Sequence, residues 1–265
     1  MGCEPKYAIR DVSEKTGVKP VTLRAWQRRY GLVQPERTEK GHRLYSDADI
    51  ELIKTIQSWL EKGVSIGKVK ELLNSDSSPV FEQQDEAPQL AEVESVLAAI
   101  AKLQYTKSEQ ILSGIFKEYP SHIVIEQAIK PILTTLEVVK NSQKSLQLGL
   151  FNSVVTSVVG KIVDAENKAG KKNKLLMVSF DAFGSIHARM ELVQKVEQGN
   201  RVVLIESVED LGGLKDMLAT ELYTAVYFYA SQDIPAKLVS NIKELKQQVN
   251  CELEACELLT TLHFN

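Results

Sequence analysis

The sequence predicts a multidomain chain of mixed α and α/β class. It expects an N-terminal winged helix-turn-helix, a central helix bundle and a C-terminal α/β domain with a parallel sheet. Three observations predict this. The first is charge: residues 1–70 carry 14 Lys/Arg against 9 Asp/Glu, a net +5, and the remainder sums to −8, so the overall −3 hides a basic head on an acidic body. The second is periodicity, which changes from helical stripes over 91–168 to short apolar runs alternating with amphipathic stretches beyond 172. The third is punctuation: two short helical stretches meet at a glycine turn and precede a basic hairpin, all within the first 46 residues.

A length of 265 residues accommodates two or three domains, and 43% hydrophobic with 25% charged residues excludes a wholly disordered chain. No apolar run is expected to approach the roughly 18 or more residues of a membrane span, and MGCEPKYAIRD lacks the apolar core of a secretory signal. Cys3, Cys251 and Cys256 form no CxxC or Cys/His cluster, so we expect reduced thiols, no metal site and a cytoplasmic protein.

The elements follow in order. The first helix is expected over Ile9–Thr16, with Ile9 and Val12 inward and Gly17 ending it. The second starts at Pro20, which suits a first helical turn, and stops at Gly31. We place Leu23, Trp26, Gln27 and Tyr30 on its inner side and Thr22, Arg24, Ala25, Arg28 and Arg29 on its outer side. Arginines on such a face can take phosphates or the O6/N7 edge of guanine, and Ala25 leaves room for close approach to a groove.

Arg37 and the run His42, Arg43, Leu44, Tyr45 flank a polar Thr38–Gly41 turn, a basic hairpin suited to gripping adjacent backbone. Ser46 and Asp49 form a capping box for a helix lined by Ile50, Ile53, Ile56, Trp59 and Leu60, which ends at Gly63. Ser65 caps a further helix, with Val64 and Val69 as its staple.

Residues 75–90, rich in Ser, Pro, Gln and acid, read as a linker between a head at 5–74 and a bundle at 91–168. Leu97, Ile100, Ala101 and Leu103 make one bundle stripe; Ile123, Ile125, Ile129 and Ile132 make another, and Val154, Val155, Val158, Val159 and Ile162 a third. After the polar loop 169–174, the domain 172–265 is expected to place strands at Leu175–Ser179, Val202–Glu206, Ala225–Tyr229 and Cys251–Ala255. Helices at Ser185–Glu197, Leu211–Thr220 and Ala236–Gln248 separate them, giving βαβ units.

The head resembles the MerR family of winged-helix bacterial transcription regulators. The resemblance rests on Tyr7 and Ile9; Thr16, Gly17 and Val18; Thr22, Leu23, Arg24 and Trp26; Tyr30, Gly31 and Leu32; Pro35 and Arg37; Gly41, His42, Arg43 and Tyr45; and Asp49. The form PVTLRAWQRRYGL is similar to the branch whose head precedes a cobalamin-type sensor, and especially to the regulators of curli and biofilm genes, in which that sensor is degenerate.

This resemblance implies DNA contacts by Thr22, Arg24, Ala25, Arg28, Arg29, Arg37, His42, Arg43 and Tyr45, with Trp26 and Tyr30 chiefly in the core. It implies a flavodoxin-like, cobalamin-binding-like C-terminal domain. In that family a histidine after the first strand ligates cobalt within E-x-H-x-x-G. Here Gly184 falls at the ligand position and His187 where the family has glycine, and the family's Glu-His pair in the bundle falls on Phe151 and Asn152. Glu206 brings a carboxylate where the cofactor's nucleotide tail would approach. We therefore expect no cofactor.

The expected protein is a cobalamin-independent regulator, acting as a homodimer on double-stranded promoter DNA. It would activate by promoter distortion for RNA polymerase, with a protein partner for the C-terminal domain, in the cytoplasm at the nucleoid. The alternative is a cobalamin- or light-responsive repressor. No GxGxxG, P-loop, GxSxG or HExxH motif points to catalysis.

Overall fold

The computed structural model describes residues 5–73, 88–168, 173–219 and 222–264. Most of the expected linker (75–87), residues 169–172 of the polar loop, and Cys3 lie outside these. The chain divides into two compact units, Met1–Phe151 and Asn152–Asn265.

In the first unit, β1 (Tyr7–Ala8) leads directly into α1 (Ile9–Thr16), which stops because Gly17 takes the left-handed φ of 71° and returns its N–H to the Ser13 carbonyl. The helix α2 (Pro20–Ala25) begins at proline and continues as a π turn over Trp26–Tyr30, closed by Gly31 at φ 63°. β2 (Glu36–Arg37) and β3 (Arg43–Tyr45) form the expected hairpin. Its turn is held by Gly41 N donating to Thr38 O at 2.8 Å and Thr38 N to His42 O at 2.9 Å.

The sheet has three strands in the order β1-β3-β2, because Tyr7 pairs with Tyr45 and Ala8 with Leu44. The helix α3 (Asp47–Glu61) carries the expected capping box: Asp49 N donates to Ser46 Oγ at 3.2 Å and Ser46 N to Asp49 Oδ2 at 2.8 Å. It is followed by α4 (Ile66–Leu73). Val12, Val18, Leu23, Trp26, Ile53, Ile56, Leu60, Ile66 and Val69 are buried and make the core of the head.

The same unit contains α5 (Glu92–Ala101), α6 (Tyr105–Glu118), α7 (Ser121–Val124, continued as a π turn over Ile125–Ile129), α8 (Lys130–Glu137) and the first part of α9 (Asn141–Asn167). Two expected bundle positions differ: Ala101 is exposed, and Leu103 takes φ 51° in the α5–α6 turn and is 49% exposed. The stretch Ser142–Asn167 is long and apolar enough, with mean hydropathy 1.4, to cross a membrane by length and composition. This departs from the expectation that no apolar run approaches that length, because scattered Ser, Gln and Asn interrupt the stretch without lowering its mean hydropathy below that of a span. Its Phe151, Val154, Val155, Val158 and Val159 are buried within the protein, on one stripe of a helix whose most apolar window is 39% buried.

In the second unit, β4 (Lys174–Ser179), β5 (Arg201–Ile205), β6 (Ala225–Tyr229) and β7 (Glu252–Ala255) form a wholly parallel sheet in the order β5-β4-β6-β7. The register pairs Met177 with Leu204 on one side and with Tyr227 on the other. The crossovers carry α10 (Ile186–Glu197), α11 (Leu214–Leu218) and α12 (Ala236–Gln248); α13 (Glu257–Leu259) follows β7. Central strands β4 and β6 read as continuous apolar runs because the sheet is covered on both faces there.

Candidate nucleic-acid interface

The outward face of α2 and the β2–β3 hairpin bring four guanidinium groups together. Arg24 and Arg28 are exposed on the helix, Arg37 is exposed on β2, and Arg43 is half-buried on β3, cross-strand from Arg37. Burial, and then the positive charges of Arg37, Arg24 and Arg28, push the Arg43 guanidinium below its ordinary pKa, with Tyr45 opposing. Arginine stays ionised in proteins, so this is a concentrated positive field rather than a titration. Arg43 Nε donates to Gln27 Oε1 at 2.7 Å, which ties the hairpin to the helix. Gln27 is a site residue that the helical pattern placed inward and gave no role. His42 is exposed on the hairpin, and Ala25 is half-buried.

Three expected contact residues are placed differently: Thr22 and Tyr45 are buried, and Arg29 is exposed but paired. Thr22 is fully buried, and its Oγ1 has no hydrogen-bond partner among the described residues. It precedes Trp26 by one helical turn, so at about 100° per residue the two share a face. Arg29 follows Trp26 by three residues and lies on the near side of that same face. Its guanidinium pairs with Glu118 at the end of α6, rather than joining Arg24 and Arg28. Tyr45 is 1% exposed: its ring belongs to the core beneath the hairpin, and its hydroxyl is likewise unpartnered among the described residues.

Trp26 and Tyr30 hold the inward side as expected. Trp26 Nε1 donates to Glu118 O at 2.8 Å and the Tyr30 hydroxyl to Glu118 Oε2 at 2.6 Å. Burial raises the Tyr30 phenol pKa; Arg29 opposes this and Glu92 adds to it. Tyr30 is therefore a hydrogen-bond donor across the ordinary pH range. Sequence alone offers no route to Glu118, which lies 89 residues from Arg29 and belongs to no local pattern.

The loop after β4, where the resemblance would place a cobalt ligand, is built differently. Gly184 has φ 84° and offers only a backbone N–H, which donates to Glu206 Oε1 at 3.1 Å. Glu206 is held in turn by Arg189, at 2.5 and 3.1 Å, and both side chains are nearly buried at 11% and 7% exposure. A Cβ on residue 184 would stand 3.3 Å from the Asn152 amide, so any side chain there would be strained by the positive φ and would need Asn152 to give by a few tenths of an ångström. His187 points from the exposed side of α10. Asp181 closes the ends of β4 and β6, accepting from Ser231 N at 2.7 Å and from Ser185 Oγ at 2.7 Å. These residues do not fit a cobalt-ligated corrinoid.

Residues 7–76 match the model of the MerR HTH family regulatory proteins. The chain is 34% identical over 172 residues to the HTH-type transcriptional regulator MlrA of Salmonella typhimurium, covering 62% of this chain and 66% of that protein, so a third of that relative lies outside the match. It is 29% identical over 206 residues to MlrA of Escherichia coli K12, covering 77% of this chain and 82% of that protein. It is also 30% identical over 139 residues to the HTH-type transcriptional repressor CarH of Myxococcus xanthus, covering 49% of this chain and 46% of that one. With the helix-turn-helix and hairpin built as described, residues 7–76 of this chain are a MerR HTH family domain, and the similarity to the MlrA regulators extends well past it.

Proposed function

We propose that this protein is a sequence-specific, double-stranded-DNA-binding transcription regulator. It binds as a homodimer and activates by distorting the promoter so that RNA polymerase can engage it, in the manner of curli and biofilm regulators. The observation that carries the reading is the convergence of Arg24, Arg28, Arg37 and Arg43 on one surface of helix and hairpin. Arg24, Ala25 and Arg28 would face the major groove, while Arg37, His42 and Arg43 would grip the flanking backbone. The protein works in the cytoplasm, at the nucleoid.

Gel-shift titration over a salt series tests this. Arg24→Ala and Arg43→Ala should each weaken binding at least about tenfold and lower the log–log salt slope by about 1 for each phosphate the variant no longer neutralises. Wild-type affinity and slope in both variants would overturn the assignment.

We read the C-terminal unit as a flavodoxin-like, degenerate cobalamin-binding-like domain, on the strength of its 2-1-3-4 parallel order. It has become a protein-interaction module, and the regulator is cobalamin-independent. The Glu206–Arg189 pair over Gly184 favours this over a cobalamin- or light-responsive repressor. Protein incubated with adenosylcobalamin and desalted should show no corrinoid absorption; a retained, stoichiometric band would reverse the reading.

A further inference from the structure

We infer that Glu118, at the end of α6, is the positioning residue of the DNA-reading helix: it holds α2 from behind and thereby fixes the face that Arg24 and Arg28 present. This rests on the regulator reading above. Glu118 is 9% exposed and engages α2 at three points. Its carbonyl accepts from Trp26 Nε1, and its carboxylate accepts from the Tyr30 hydroxyl and pairs with Arg29.

The three partners occupy one side of the helix. Arg29 and Tyr30 follow Trp26 by three and four residues, close to one turn, whereas Arg24 and Arg28 stand two residues to either side of it, about half a turn away on the opposite face. Glu118 therefore grips the back of α2 and leaves its front open. An anion that competed with DNA would have to sit on the front, with Arg24 and Arg28, and it does not.

The grip falls on the π turn Trp26–Tyr30, whose wider winding gives that segment weaker internal restraint than the α-helical turn before it. An external clamp has most effect there. Both acceptors of the carboxylate are used, and a charged acceptor makes these hydrogen bonds stronger than neutral ones. Two neighbouring contacts hold the same seam. Gln127 Nε2 donates to Leu60 O at 2.8 Å, and Ile66 N to the Tyr119 hydroxyl at 3.4 Å. α2 is thus presented by the helices of its own compact unit, and not by the head alone.

The test uses full-length protein and a duplex selected by the wild type from a random-sequence library. Glu118→Ala and Arg29→Ala should each weaken binding to that duplex about five- to tenfold. The double variant should bind no more weakly than either single variant, because the two residues act as one unit. The salt slope should stay at the wild-type value in all three, since every phosphate-neutralising side chain is still in place.

Glu118→Gln, which keeps the shape and an acceptor, should recover part of the affinity. Far-UV circular dichroism, with Trp26 emission read in a Trp59→Phe background, confirms that each variant is folded. Unchanged affinity in folded Glu118→Ala would make the clamp merely structural and overturn the proposal. Tighter binding would make Glu118 a competitor of DNA and overturn it equally. A slope lowered by about 1 in Arg29→Ala would place Arg29 on a phosphate and break the pairing argument. If the wild type selects no duplex at all, the regulator reading itself fails, which is a different result from any of these.

Discussion

At the level of single residues, the charge-bearing side chains are legible in the sequence and the phase of their helix is not. Arg24, Arg28, Arg37 and Arg43 stand close enough to influence one another, three of them exposed and Arg43 half-buried and tied to Gln27. Thr22 defeats a reading by polarity because it sits one helical turn from Trp26, and that spacing outweighs its polar character, while Arg29 stays exposed and pairs with Glu118. The buried Thr22 hydroxyl gives a direct test. Its Oγ1 is desolvated without a partner among the described residues, so Thr22→Val removes a buried polar atom and leaves the volume unchanged. We expect the melting temperature to hold or rise, by the equivalent of up to about 1 kcal/mol, with DNA affinity unchanged. Weaker DNA binding in a folded Thr22→Val protein would return Thr22 to the interface.

Elements are legible where the chain carries its own stop signals. The α1 bounds, the start of α2, the α3 capping box and the start of α10 follow from Gly17, Pro20, Ser46 with Asp49, and Ser185, whereas α11 is shorter than the expected Leu211–Thr220. The two-residue strand β1 escapes sequence reading because so short a segment has no alternation, and its pairing with Tyr45 is a long-range fact. The α5–α6 turn escapes it because Leu103 continues an apolar stripe by spacing while its backbone has already left the helix.

Gly63 shows what such a stop costs to replace. It has φ 84°, and a Cβ there would lie 2.5 Å from the Pro88 Cβ. Gly17 has φ 71° but nothing within 4 Å of its Cβ. Gly17→Ala should therefore lose only the left-handed strain, about 1–2 kcal/mol, while Gly63→Ala should lose that plus about 1–3 kcal/mol of overlap. Equal losses in urea denaturation would show that Pro88 moves aside freely.

At the scale of the whole molecule, the division into head, linker and bundle comes from composition, and composition does not report docking. The polar stretch around 75–90 marks a change of chain character, yet head and bundle share one compact unit, with Leu90 buried and its N–H donating to Gln127 O at 2.9 Å. Trp26 is fully buried there, its indole N–H satisfied by Glu118, and Leu60 and Ile66 meet Gln127 and Tyr119. A chain cut at residue 74 would uncover part of this surface and orphan the Trp26 donor, a loss of about 1–3 kcal/mol for that group alone. Small domains keep only a few kcal/mol in reserve. We therefore expect a 1–74 fragment to unfold at clearly lower urea than a 1–151 fragment. The 1–151 fragment should unfold in one transition in which Trp26 emission, read in the Trp59→Phe background, and helical ellipticity coincide. Two separated transitions in 1–151, with Trp26 emission changing first, would mean that the head is an independent module and that its contact with α6 adds nothing to its stability.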